Sequence, residues 1–258
     1  MSHRPRSLQH EYELYVEREI EEYKESLPRH VLLSLGDEAV KSLAAQQQLA
    51  LTEILLCAEV DRIIRDRLRL PAYSTWRRRR LKALREFSRP ERWGLRPDSA
   101  LARTASAASE GGGHVLVAGT HAEGPALYLA ANGCAVTALE STEDVLERVL
   151  DAAARVGLTS QIRGLVADLG SWAPDTPLTA VVCAAAALAS LSPAERARAI
   201  ALLQNATAAG GVHMMETGAD GVELVSIEEL QASYDGWQIS VEPGVTSMHT
   251  FLARKAVA

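Results

Sequence analysis

The chain has 258 residues, a net charge of −6, 47% hydrophobic and 23% charged residues, and only 5% aromatics. That composition is ordinary for a globular protein, with a core expected to be mostly Ala, Leu and Val. No apolar run approaches the roughly 18 residues a membrane span needs. The first residues lack the apolar middle of a secretory signal, so no membrane partner and a cytoplasmic protein are expected. Cys57, Cys134 and Cys183 are too few and too scattered for a disulfide framework and are read as small buried hydrophobes. The seven histidines show no metal-ligand spacing.

Charge divides the chain. Residues 1–103 hold 20 Lys and Arg against 16 Asp and Glu, whereas residues 104–258 hold 7 against 17. Two parts are therefore expected: an all-α region over 1–103 and an α/β domain over 104–258. Tyr12, Tyr15, Val16, Glu19, Ile20 and Tyr23 recur at helical spacing and predict a helix over 10–26. A longer apolar periodicity over about 37–69, capped by Ser34 or Asp37, predicts one long helix that Pro71 stops. A third helix follows Ser74 or Thr75 and runs to about Phe87; it carries the run Arg77, Arg78, Arg79, Arg80. Four consecutive residues span the whole circumference of a helix, so some of these arginines must face protein. The acidic first helix (Glu17, Glu19, Glu21, Glu22) is one candidate partner. Contact with nucleic acid is the lesser alternative. The helical region is expected to form a homo-oligomer or to hold a protein partner. Residues 98–113 read as a linker or a last short helix before a hinge.

From His114 the alternation is regular. Strands are predicted at 114–118, 135–139, 161–166, 179–184, 212–216, 237–241 and 246–253, with helices at about 124–132, 142–156, 193–208 and 227–234. Strand–helix alternation implies parallel strands with right-handed crossovers, and the final pair is expected to be an antiparallel hairpin. The fold class is thus α/β: a Rossmann-like, mostly parallel seven-stranded sheet with a C-terminal antiparallel hairpin, preceded by an all-α region.

The segments VLVAGTHAEGPALYLA, ALYLAANGCAVTALE, ADL at 167–169, and LSPAERARAIALLQNATAAGGVHMME resemble, in that order, landmarks of the class I S-adenosylmethionine-dependent methyltransferases. Within that class the pattern is most similar to the tellurite-resistance type. The resemblance implies S-adenosylmethionine as cofactor and a methyl transfer to a small or soft nucleophile. It assigns cofactor contacts to Gly119, Thr120, His121, Glu123 and Gly124 in the first turn, Glu140 and Ser141 after the second strand, Asp168 and Leu169 after the third, and Ala184 after the fourth. Glu140 would accept from the ribose hydroxyls, Asp168 from the adenine amino group, and the Leu169 N–H would donate to the ring.

The chain also departs from that family's pattern. An acid and alternating glycines are expected where Val117, Gly119, His121 and Glu123 stand. His121 is a bulky ring in the turn, and Glu123 sets a carboxylate near the helix start, where it suits the dipole but opposes a ligand carboxylate. CAAAALASLS, residues 183–192, lacks the acid, prolines and aromatic of enzymes that methylate base amino groups. No catalytic residue is named, and His213 reads as a satisfied histidine of the core or sheet edge. A catalytically inactive protein of the same fold, acting through its helices, is the alternative.

Overall fold

The structure is a computed structural model, and it describes residues 7–45, 53–109, 112–119, 124–218, 225–243 and 248–257. The chain divides into two compact units, one reaching Leu81 and the other beginning at Lys82.

The helical unit contains α1 (Leu8–Ser26), α2 (Arg29–Ala45), α3 (Glu53–Leu68) and the first part of α4 (Tyr73–Phe87). Ser7 caps α1, its hydroxyl accepting from the His10 N–H at 3.2 Å. Val16 and Ile20 of α1, Leu35 and Ala39 of α2, and Ile63 and Ile64 of α3 form one apolar core. Helices α2 and α3 replace the single long helix expected over 37–69. In one straight helix Glu38 and Arg67 would stand about 43 Å apart; here they form an ion pair. Ser34 and Asp37, expected as caps, lie inside α2.

The α/β unit begins with the end of α4, a 3-10 turn at Pro90–Trp93 and α5 (Ala100–Ser109). Strands β1 (His114–Ala118), β2 (Ala135–Glu140), β3 (Ile162–Val166), β4 (Leu178–Cys183), β5 (Thr207–Gly218), β6 (Gln238–Pro243) and β7 (Met248–Arg254) form one sheet in the order β3-β2-β1-β4-β5-β7-β6. The first five strands in that order are parallel, and β7 runs antiparallel to both β5 and β6. This is the mixed seven-stranded sheet expected from the sequence.

Alternating strand residues feed two cores. Val115 and Val117 face α5, α6 (Gly124–Ala131) and α7 (Glu143–Arg155). Leu116 and Ala118 face α8 (Ala185–Ala189), α9 (Pro193–Ala206) and α10 (Ile227–Ser233). On α7, Leu146, Val149, Ala152 and Ala153 are buried at helical spacing. A capping box joins Ser192 and Glu195 at the start of α9, with Pro193 at its first position.

One expectation is sharpened and one corrected. The short helix allowed for within 98–113 is α5, whose Ala100, Leu101, Ala102, Ala105 and Ala108 are buried in the sheet's own core. One compact unit, running from Lys82, holds both α5 and the sheet. And β5 begins at Thr207, before the Gly-Gly pair, with a register shift between Leu178 and Ala180 of β4 that absorbs the extra residues.

Candidate functional site at the strand-order reversal

After β1 the chain builds β2 and β3 to one side; β4 and β5 lie on the other. In open parallel sheets the crevice outside the carboxyl ends of the strands, at such a reversal, is where ligands bind. Here that point lies between Ala118 and Cys183, which stand opposite each other in register.

The chain at the end of β1 turns sharply. Gly119 has φ of +60°, a left-handed conformation that L side chains rarely adopt. Its N–H donates to the Leu139 carbonyl at 3.0 Å. A Cβ added there would lie 2.7 Å from the Ala187 Cβ, so helix α8 packs directly against this glycine. Protein packing alone accounts for Gly119. Thr120, His121 and Glu123 lie outside the described residues. Gly124 opens α6, and a Cβ there would meet only the Trp93 ring, at 3.4 Å. Trp93 is fixed by donating its indole N–H to the Phe87 carbonyl at 2.9 Å. Val117, where the family pattern has an acid, is 1% exposed and belongs to the apolar core.

One strand along, Glu140 ends β2 and is 3% exposed. Its carbonyl accepts from the Ala167 N–H at 3.0 Å. Ser141 follows it and is exposed. Two strands along, Asp168 is exposed. Its carbonyl, not its carboxylate, organises the turn, accepting from the Ser171 N–H at 3.0 Å and the Trp172 N–H at 3.2 Å. The Leu169 side chain is buried in the core. On the other side of β1, Ala184 is half-buried, starts α8, and donates its N–H to the Ala118 carbonyl at 3.0 Å. Thus Gly119, Glu140, Ala184 and the Asp168–Leu169 turn share one rim, each strand about 4.8 Å from the next.

Burial pushes the Cys183 thiol up to about 12, so the sulfur at this rim is neither charged nor nucleophilic near neutrality. His213 is fully buried in β5, and burial brings its pKa down to about 3. Thr207 Oγ1 donates to the Leu203 carbonyl at 2.6 Å and lies 2.7 Å from His213 Nε2. Tyr234 Oη lies 2.6 Å from His213 Nδ1. The one proton assignment that satisfies all three has Nε2 donating to Thr207 and Tyr234 donating to Nδ1. His213 is a satisfied core histidine, as expected from the sequence.

Of the run Arg77–Arg80, only Arg80 is buried; it pairs with Glu11 of α1 at 3.2 Å. The partner is thus on the first helix as expected, but at Glu11 rather than at Glu17, Glu19, Glu21 or Glu22. Arg77, Arg78 and Arg79 are exposed.

Two surface clefts lie elsewhere. One of about 290 Å³ sits between α5 and β6–β7. Another of about 310 Å³ is lined by residues 174–177 and 205–208, at the opposite end of the parallel strands from the rim. Sequence reasoning missed α8 and Trp93 as neighbours of the turn. A five-residue alanine helix has no legible period; the Pro90 and Gly94 bracket around Trp93 was the available signal for the 3-10 turn.

Neither a family model nor a curated protein sequence matches this chain. Solved structures do. TehB from Haemophilus influenzae aligns at 18% identity and a TM-score of 0.48, over 55% of this chain and 57% of its own. A TehB-like SAM-dependent methyltransferase from Corynebacterium glutamicum aligns at 19% identity and a TM-score of 0.46, over 56% of this chain and 80% of its own. The N-methyltransferase NodS from Bradyrhizobium japonicum aligns at 15% identity and a TM-score of 0.48, over 62% of this chain and 99% of its own. The chain thus spans little more than half the length of the first of these.

Proposed function

We propose that the α/β unit binds S-adenosylmethionine along the rim from β1 to β3 and transfers its methyl group to a small, soft nucleophile. The observation that carries this reading is Glu140, a carboxylate 3% exposed at the end of β2, one strand from the reversal. A carboxylate there suits a vicinal diol, since its two oxygens accept from both hydroxyls. Glu140 and the Gly119–Ala184 edge fit the adenosyl group; Val117 and the exposed Asp168 carboxylate do not add to the fit. The cofactor would supply a methyl group on sulfonium, displaced in line. The chain's own part is to align the acceptor and exclude water, which by itself accelerates such a displacement.

Calorimetry tests the reading. S-adenosylmethionine and S-adenosylhomocysteine should bind with micromolar affinity, and Glu140→Ala should weaken both at least about tenfold, the equivalent of one charge-assisted hydrogen bond. No heat at millimolar ligand would remove the enzyme reading.

A second reading, an inactive protein of this fold that associates through its helices, is favoured by two observations. Ala187 fills the open side of Gly119, and Leu33 and Ile54 of the helical unit are 63% and 80% exposed. Sedimentation of Leu33→Ser with Ile54→Ser tests it: self-association lost on substitution supports it, and a monomer throughout ends the self-association arm.

A further inference from the structure

The cleft of about 290 Å³ between α5 and strands β6 and β7 lies wholly within the α/β unit. Its floor follows from the register. Val212 of β5 stands opposite Arg254 of β7, and Arg254 opposite Gln238 of β6; the next row pairs Leu252 with Ser240. Val212 and Leu252 belong to the core that α5 completes, and strand alternation puts Arg254 on their face of the sheet. Helix α5 supplies the facing wall through Ala100, Arg103 and Thr104.

Among the described residues, the charged side chains that line this cleft are Arg103 and Arg254. Arg103 is committed: its guanidinium donates to the Asp98 carbonyl and to the Glu242 carboxylate. That pair is neutral as a whole and holds α5 to β6. Arg254 is exposed and has no acidic partner among the described residues. Thr104 is only 4% exposed, and its hydroxyl makes no hydrogen bond among the described residues. A withdrawn hydroxyl without a partner is costly and calls for one.

We infer that this cleft is a binding site for a small organic monocarboxylate with an apolar body. One unpaired guanidinium selects one negative charge, and its planar fork matches a carboxylate. Ala100, Val212 and Leu252 offer apolar surface to the body of the ligand, and Ser240, Gln238 and Thr104 offer hydrogen bonds beside it. A second carboxylate would lose water there with no second free cation in exchange. A volume of about 290 Å³ holds about ten waters, and so a molecule of about ten non-hydrogen atoms. The site is remote from the rim. Val212 lies opposite Ala180, three residues before Cys183 ends β4. That is about 10 Å along the strands and about 10 Å across them, or about 14 Å between the α-carbons of Cys183 and Arg254. The bound acid is therefore not the methyl acceptor, and the inference does not depend on methyl transfer.

The full isotope-labelled chain is titrated at low salt with phenylacetate and, in parallel, with its neutral isostere 2-phenylacetamide, and followed by NMR. Phenylacetate should bind with a Kd of about 1 mM or tighter and shift the amide signals of Ser240, Leu252 and Arg254. The amide should bind at least about tenfold more weakly, the loss expected when a charge-assisted hydrogen bond becomes a neutral one. Arg254→Gln, at an exposed position, should weaken phenylacetate by about tenfold and leave the amide unchanged. Ser240→Phe should fill the cleft and abolish both. S-adenosylhomocysteine should leave the phenylacetate affinity unchanged whether or not it binds. No shift from phenylacetate at tens of millimolar, shifts that map away from the cleft, equal affinity for acid and amide, wild-type affinity in Arg254→Gln, or displacement by S-adenosylhomocysteine each overturns the assignment.

Discussion

Apart from the buried Glu140 at the rim, the two units hold their polar groups in different ways. In the helical unit they are charged and paired between or along helices: Arg80 with Glu11 at 3.2 Å, Lys24 with Asp61 at 2.7 Å, Arg62 with Glu59 at 2.7 Å. In the α/β unit the deepest polar chain is neutral, running from Tyr234 through His213 and Thr207 to the Leu203 carbonyl. The difference follows from geometry. A helix buries only a stripe, so an ion at the stripe's border keeps part of its water. A central strand is covered on both faces, and an ion there would lose all of it.

Acid separates the two arrangements most strongly. His213 titrates near 6.5 when unfolded and is held neutral down to about 3 when folded. The unfolded chain therefore binds the proton first. The stability of the α/β unit should be full above 6.5 and fall as pH drops from 6.5 towards about 3, with a slope approaching about 1.4 kcal/mol per pH unit. Glu59 behaves as a paired acid: hydrogen bonds from Arg62 and Ser42 lower it from 4.5 to about 2. Its contribution is present above 4.5 and is lost only as pH falls towards about 2. Denaturant melts taken from pH 6.5 down to 4.5, above the Glu59 window, should weaken the α/β unit alone. His213→Gln should flatten that dependence; an unchanged slope in the variant would show that the network is not its source.

Next in size is the ion pair. Arg80 and Glu11 have side chains only 6% and 12% exposed. Arg80→Ala strips the cation against which Glu11 is buried and should cost the helical unit about 3 kcal/mol. Arg80→Met with Glu11→Gln, which removes both charges, should recover most of it. If the single and double variants melt alike, the pair has no coupling energy, and the contrast between the units reduces to one of burial.

At the rim the comparison is between two glycines. Gly119→Ala forces a side chain into a left-handed backbone, at about 1–2 kcal/mol, and against Ala187 at 2.7 Å. Gly124→Ala meets only ordinary contact with Trp93 and should change stability by no more than about 0.5 kcal/mol. Equal melting of the two variants would mean that α8 yields readily and that the Gly119 turn can open.

The α/β half was legible because each local signal agreed with the tertiary outcome. β1 falls at His114–Ala118 as read, since Gly113 and Gly119 bracket an apolar run. The helical half was less legible. The stretch AQQQLALT at 45–52 contains only helix-compatible residues and no Gly or Pro, so periodicity ran α2 and α3 together; only Leu35 and Ala39 packing on Ile63 and Ile64 separates them. At the rim, residue types located Glu140 and Gly119. They did not reveal that Asp168 works through its carbonyl or that Ala187 blocks Gly119, because both depend on what another segment does.

The smallest effect concerns the thiols, and it probes both units at once. All three cysteines were expected to be buried; Cys134 and Cys183 are, whereas Cys57 on α3 is exposed. Burial raises Cys134 to about 11 and Cys183 to about 12, so neither supplies thiolate near neutrality. A disulfide reagent should therefore titrate one thiol in the native protein, none after Cys57→Ser, and all three in denaturant. Stability should hardly change in Cys57→Ser, an exposed site. A second thiol reacting in native Cys57→Ser, traced to Cys183, would show that the end of β4 opens to solvent while the sheet stays folded. An opening there would expose the edge of the crevice, and S-adenosylhomocysteine, if it binds along that rim, should slow the reaction.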